Sequence, residues 1–130
     1  MDISEVKRII EVSKQEKWPY PQTFQALAAA GVTSYRTDLT DNVTIYDGDA
    51  DSYEDRHSTM AERLEIADRF QADEVQKGLR HHQEHRTTYT DFLKTMAEAG
   101  VQYYLVDMAS RNITYTSGRP DEAYVERVPE

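Results

Sequence analysis

The residues whose spacing most resembles a reactive site form one short run in the second half of the chain. His81-His82-Gln83-Glu84-His85 fits the H-x-x-E-H pattern, in which two histidines one helical turn apart hold zinc and the glutamate activates water. The run lies at the C-terminal end of a predicted helix, and the sequence offers no identifiable third ligand. We interpret it as a solvated helix end and expect neither a metal nor another cofactor. Adventitious metal binding and a hydrolytic zinc site at His81 and His85 are the open alternatives, and His82 is expected to pack.

Two aspartates form a second candidate for chemistry. Asp38 and Asp107 stand at the ends of two strands that the sequence pattern predicts to be equivalent. If the fold brings them together, a carboxylate pair with shifted acidities could act as acid and base. The alternative is that each aspartate hydrogen-bonds its own backbone to begin a turn, which is common for this residue type.

Tyrosine is frequent, with nine in the chain. Tyr35, Tyr46, Tyr104 and Tyr115 could line a pocket between the two halves, although packing in a core or on a sheet is the default role of such side chains. These four tyrosines, together with the two aspartates above, are our candidates for ligand binding. The sequence identifies no catalytic residue.

These residues are carried by a unit that recurs along the chain, over residues 20–48 and 89–118. Its clearest markers are Gly31-Val32 and Gly100-Val101, which are 69 positions apart. In the second strand of each unit, Val43-Thr44 corresponds to Ile113-Thr114 at an offset of 70, so the second turn is expected to be one residue longer. Two copies of one small unit usually pack together and share a core.

Each unit reads as a helix followed by two strands. Apolar residues at helical spacing end at Gly31 or Gly100, where a left-handed position favours glycine, and the period then changes to two. We expect one α+β domain over residues 1–130, in which two pseudo-repeated helix-strand-strand units form one mainly antiparallel sheet covered by helices.

Four further segments lie outside the recurring unit. We expect helices from residue 3 to about 17 and from about 71 to 85, and a strand over 123–128. Residues 47–63 are predicted to be an acidic loop with at most a short strand near Tyr53, and 64–67 another strand.

Composition excludes several classes of function. The formal net charge of −9 disfavours binding to nucleic acid or to an anionic membrane, because phosphate contacts need clustered Lys and Arg. There is no cysteine, so disulfides and thiolate chemistry are excluded. The longest apolar stretch, 26–32, is far too short to span a bilayer, and the start lacks a secretion signal. We expect a cytoplasmic protein.

Taken as a set, the motifs resemble a known group of proteins. Tyr20-Pro21, the run 31–35 and Tyr46 in the first half look like the YdfO-like family of small bacterial and prophage proteins, often labelled "phage envelope protein". The second half is similar through Tyr89-x-x-Phe92, Ala97-x-Ala99-Gly100-Val101, Tyr104-x-Val106-Asp107, Ile113-Thr114-Tyr115, Gly118 and Glu126-x-Val128-Pro129. The resemblance implies a compact α+β domain of unknown function, and that family offers no established catalytic residues to transfer.

Two functions from different classes follow. The first is a non-catalytic accessory module that binds a protein partner or associates with itself as a homodimer. The second is a small-molecule binder or hydrolase with its site in the cleft between the repeats. An exposed apolar patch flanked by acids would support the first function, and a pocket lined by the tyrosines would support the second.

Overall fold

The computed structural model describes residues 1–56 and 64–128. Within these ranges the elements run in the same order twice, two helices followed by three strands. The first half holds α1 (Ile3–Gln15), α2 (Tyr20–Ala29), β1 (Ser34–Asp38), β2 (Val43–Asp47) and β3 (Ser52–Arg56). The second half holds α3 (Ala72–His85), α4 (Tyr89–Glu98), β4 (Tyr103–Asp107), β5 (Asn112–Thr116) and β6 (Ala123–Arg127). The fold is α+β, as predicted.

The helices begin and end where the sequence signals predict. The Asp2 carboxylate accepts a hydrogen bond from the Glu5 backbone N–H at the start of α1, and Pro21 occupies the first turn of α2, where a missing N–H costs nothing. Gly31 and Gly100 follow α2 and α4 with φ of +96° and +89°. Glycine is needed there because a side chain is strained at positive φ.

The six strands form one sheet in the order β3-β2-β1-β4-β5-β6, and every neighbouring pair is antiparallel. β1 and β4 lie side by side at its centre, so the sheet joins the two halves of the chain through this one strand pair. The helices cover one face of the sheet. On that face the side chains of the four central strands are buried and those of β3 and β6 are half-buried, whereas on the other face the central residue of every strand except β5 is exposed.

The covered face carries two rows of cross-strand neighbours that run the width of the sheet. One row is Tyr53, Tyr46, Tyr35, Val106, Ile113 and Glu126. The other is Asp55, Thr44, Thr37, Tyr104, Tyr115 and Tyr124. Each row therefore holds three neighbouring tyrosines and one acid. In the first row the tyrosines begin at β3 and the acid lies on β6, whereas in the second row the acid lies on β3 and the tyrosines end at β6.

Backbone features recur 69 positions apart well beyond the unit read from the sequence. Positive φ is found at Lys17 (52°) and Arg86 (49°), and again at Asn42 (53°) and Arg111 (60°). The N–H of Asp2 donates to Ala30 O at 2.8 Å, and that of Gln71 to Ala99 O at 2.9 Å. Likewise Leu39 N donates to Gln102 O at 2.9 Å, and Met108 N to Thr33 O at 3.0 Å. The internal repeat stays an interpretation, which these recurrences support.

Two details differ from the sequence-based expectation, and a third agrees with it. The second turn is not longer, because Asp38 pairs with Val43 and Asp107 with Asn112, leaving four residues between them in both hairpins. Residues 64–67 form no strand. Within the segment 47–63 the short strand near Tyr53 is present as β3, and the part from 57 to 63 lies outside the described residues.

The close approach at Gly100 gives a direct test of the fold. A Cβ there would lie 2.5 Å from Arg69 O and 2.7 Å from Phe70 Cα, whereas at Gly118, with a similar φ of +94°, the nearest atom is Tyr103 Cε1 at 3.7 Å. We expect Gly118→Ala to lower the free energy of unfolding by about 1–2 kcal/mol through backbone strain alone. Gly100→Ala should cost clearly more. Urea unfolding of both variants measures the difference, and equal losses would contradict the packing described here.

Candidate functional site

The four tyrosines selected from the sequence lie together on the covered face of the sheet. Tyr35 and Tyr46 are cross-strand neighbours with ring centroids 5.2 Å apart, and Tyr104 and Tyr115 are the matching pair at 5.8 Å. Each is less than a tenth exposed. The helices close over them, with Phe92 of α4 packing edge-on against both Tyr104 and Tyr115.

A fifth tyrosine adds its hydroxyl to this cluster. Tyr20, at the start of α2, hydrogen-bonds through its hydroxyl to that of Tyr35. The residue is 37% exposed, but its hydroxyl end points inward to a buried partner. Burial raises the pKa of Tyr20, Tyr35, Tyr46 and Tyr115 above the ordinary value near 10, and the neighbouring Tyr104 phenol contributes in the same direction. The phenols therefore stay protonated at neutral pH.

This arrangement fills the space in which a ligand was expected. The tyrosines contact one another and the helices, and nothing in their burial supports an open pocket. Two cavities of the described chain lie elsewhere. One, of about 300 Å³, is a groove between α3 and α4 lined by His81, His82, Asp91, Lys94 and Glu98 among others. The other lies between α1 and α2. Ligand binding by Tyr35, Tyr46, Tyr104 and Tyr115 stays a prediction.

The two aspartates do not meet. Asp107 lies opposite Ser34 and Asp38 opposite Tyr103, so they stand at opposite ends of the β1–β4 pair. Four residues of strand between them correspond to about 13 Å. Each serves its own turn, since Asp38 accepts from the Thr40 N–H at 3.0 Å and Asp107 from the Ala109 N–H at 3.3 Å. The two side chains therefore do not form a carboxylate pair, and both make the hydrogen bonds that the turn interpretation predicts. Ligand binding by Asp38 or Asp107 stays a prediction.

The histidines separate into packed and exposed positions. His82 packs on Phe92 with ring centroids 5.0 Å apart and its Nδ1 lies 2.6 Å from Thr87 Oγ1, as its place on the apolar stripe predicts. Burial lowers its pKa, and nearby His81 adds to this. His81 and His85 are exposed with ring centroids 4.5 Å apart. Within residues 1–56 and 64–128, no three or more His, Asp or Glu side chains are placed to hold a metal ion.

The opposite face of the sheet, which we call the open face, presents a row that the sequence did not single out. In this row the cross-strand neighbours are Glu54, Ile45, Arg36, Leu105, Thr114 and Val125. Three of its members are large apolar residues that remain exposed, Ile45 at 40%, Leu105 at 41% and Val125 at 54%. They recur on every second strand, about 10 Å apart.

Charge on the open face is nearly balanced. Its strands direct four acids and three arginines outward, whereas the whole chain has a net charge of −9. Arg36, at the centre, lies over the Tyr103 ring with the guanidinium carbon 3.7 Å from the ring centroid. Asp47 and Asp107 flank Ser34 near one end of the strands. The open face thus combines exposed apolar side chains with little net charge, although the whole chain is strongly acidic.

A signal for this row was present in the sequence. Ser52-Tyr-Glu-Asp-Arg56 and Ala123-Tyr-Val-Glu-Arg127 share a tyrosine, an acid and an arginine in the same order. Their offset is 71, because the loop between the second and third strands is two residues longer in the second half. Aligning the two segments would have assigned Val125 and Glu54 to the same outward position.

Comparison with known proteins places the chain in a family. The family described as "Protein of unknown function (DUF1398)" matches residues 7–127. The chain belongs to this family. The match spans all six strands, the helices α2, α3 and α4, and most of α1. No curated protein matches the chain. Among the helices in residues 1–56 and 64–128, none combines the length and the apolar character needed to cross a membrane.

The raised pKa values of the buried tyrosines predict a steep loss of folding stability at alkaline pH. A tyrosine whose pKa is raised by folding contributes stability that is complete below the unfolded value near pH 10 and is lost as pH rises above it. Each such proton adds about 1.4 kcal/mol per pH unit to the loss, so the three fully buried tyrosines Tyr35, Tyr46 and Tyr115 give up to ~4 kcal/mol per unit. In a titration toward high pH, the absorbance of ionised tyrosine should therefore rise over the same pH range in which the circular dichroism of the folded protein is lost. Independent titration of most tyrosines while the protein stays folded would contradict the cluster.

The Tyr20–Tyr35 hydrogen bond can be tested by a double-mutant cycle. Tyr20→Phe and Tyr35→Phe should each lower the free energy of unfolding by about 1–2 kcal/mol, because either change leaves the other hydroxyl without its partner. The double variant should lose less than the two single losses combined. Tyr53→Phe, at a more exposed member of the same row, is the control and should change stability by less than about 0.5 kcal/mol. Additive losses at positions 20 and 35 would show that the pair does not interact.

Proposed function

We propose that this protein is a non-catalytic protein-binding module and that the open face of its sheet is the contact surface. The observation that carries the proposal is the row of exposed apolar residues Ile45, Leu105 and Val125 on a face of nearly balanced charge. A solvated face is common in antiparallel sheets, but such a face normally alternates polar residues outward. Large apolar residues on every second strand are typical of a protein contact.

The shape of the open face favours a protein over a small molecule. Six neighbouring strands make a broad surface about 24 Å across, and the candidate residues for chemistry lie on the other side or at its corners. Arg36 stands between Ile45 and Leu105 in the central row. A partner that complements it would present apolar side chains around a carboxylate, with a basic residue toward Asp47 and Asp107. No observation favours a hydrolase or a small-molecule site in the cleft.

The resemblance to YdfO-like proteins, which the sequence predicted, belongs to the same proposal. The motifs around Gly31 and Gly100 support a YdfO-like accessory protein of bacterial or prophage origin, whereas a role in a phage envelope has only that family's label behind it. The cytoplasmic location stays a prediction.

A paired substitution tests the proposal. Ile45→Glu with Leu105→Glu places two carboxylates on the open face at positions that already contact water, so folding should be kept. Gln15→Glu with Gln25→Glu adds the same charge on exposed helix positions and is the matched control. The partner is first identified by cross-linking in the source cell and is then purified. Calorimetry should show that the open-face variant binds at least about tenfold more weakly, with the control unchanged.

Two results would overturn the proposal. One is a purified partner whose affinity is the same for the open-face variant and for the wild type. The other is an equal loss of affinity in the Gln15 and Gln25 control, which would assign the effect to net charge and not to the open face. Circular dichroism and urea unfolding of both variants exclude misfolding as the cause.

A further inference from the structure

We infer that two copies of this chain join through β6 in an antiparallel pair, which extends the six-stranded sheet into one of twelve strands. β6 is an edge strand, with β5 as its one strand neighbour among the described residues. Edge strands template the addition of another strand unless charge, proline or a cover prevents it. The inference shares Val125 with the proposed contact surface but does not rest on the proposed function, because it depends on the backbone of an edge strand and on neither Ile45 nor Leu105.

The backbone of β6 is oriented for such a pair. Val128 N donates to Arg111 O at 2.8 Å, which makes that pair a hydrogen-bonded one. Hydrogen-bonded and non-hydrogen-bonded pairs alternate in an antiparallel ladder. Val125, three residues back and opposite Thr114, is therefore in a non-hydrogen-bonded pair. Its N–H and C=O point away from β5, as do those of Ala123 and Arg127.

This orientation selects one symmetric register between two copies. Val125 lies opposite Val125 of the second copy as a hydrogen-bonded pair, and Ala123 lies opposite Arg127 on either side. All three outward residues of each strand are then paired, which gives six backbone hydrogen bonds. Tyr124 comes to lie opposite Glu126 of the second copy, a pairing in which a phenol can donate to a carboxylate. The contact is isologous and closes on itself.

The other edge differs at its central residue. Gly48 N donates to Asp51 O at 2.8 Å, so the same alternation turns the backbone of Ser52, Glu54 and Arg56 outward. A symmetric pair of β3 strands would place Glu54 directly opposite Glu54, and like charges at such positions are destabilising. On β6 the matching position is Val125, the most exposed large apolar residue of the described chain at 54%. Charge therefore disfavours self-pairing at β3 and permits it at β6.

Single cysteines test the register directly, because the chain has none of its own. A hydrogen-bonded antiparallel pair has Cα atoms about 5.5 Å apart, within the range that a disulfide spans. Val125→Cys should form a covalent dimer rapidly under mild oxidation, whereas Glu54→Cys, at the matching position of the other edge, should do so much more slowly. Equal rates for the two variants would overturn the inference.

Sedimentation of unlabelled protein gives a second measurement. The wild type should shift from monomer to dimer as concentration rises from micromolar to near millimolar. Val125→Lys should stay monomeric, because it places two ammonium groups opposite each other, while Glu54→Lys should dimerise like the wild type. A wild type that remains monomeric over the whole range, or a Val125→Lys variant that dimerises unchanged, would contradict the β6 pair. Neither result bears on Ile45 and Leu105, so the proposed function would still be tested separately.

Discussion

The pairing of β1 with β4 is the constraint on which the rest of the structure depends. It is the one strand pair that joins the two halves of the described chain, and its register places Tyr35 opposite Val106 and Thr37 opposite Tyr104. A shift of one residue would turn every side chain of one half to the other face. The tyrosines of that half would then lie in water, and its open-face apolar residues would be turned toward the helices. Three strands and two helices would bury little alone, so each half needs this register.

Much of this architecture could be predicted from the sequence, because its signals are local. Helix starts at Asp2 and Pro21, and glycine ends at Gly31 and Gly100, depend on a few neighbouring residues and were predicted correctly. The order of strands could not be predicted in the same way, since it depends on contacts between distant segments. The turn lengths were misassigned because Val43 and Ile113 are both β-branched, whereas the ladder matches Val43 to Asn112.

The candidate site shows the limit of reasoning from residue types. Aspartate, histidine and tyrosine suggest chemistry wherever they occur, but their roles depend on burial and on distance, which a single sequence does not contain. Asp38 accepts a hydrogen bond within its turn, His82 packs on Phe92, and the tyrosine pairs pack within each half of the sheet. The open face was missed for the opposite reason. Ile45, Leu105 and Val125 are ordinary core-forming types, and only the direction in which they point makes them unusual.

The two edge strands of the sheet differ in how well each would accept a strand from a second copy of the chain. β3 and β6 occupy matching places at opposite ends of the sheet, and both turn alternate backbone groups outward. If both edges accepted a strand, each added copy would offer a new edge and the sheet would grow without limit. In the proposed β6 pair only the two β3 edges remain among the described strands, and a contact between two β3 strands would place Glu54 opposite Glu54, which disfavours further growth. Val125 on β6 has no such restriction. The difference between these two residues therefore favours a closed pair over an open filament.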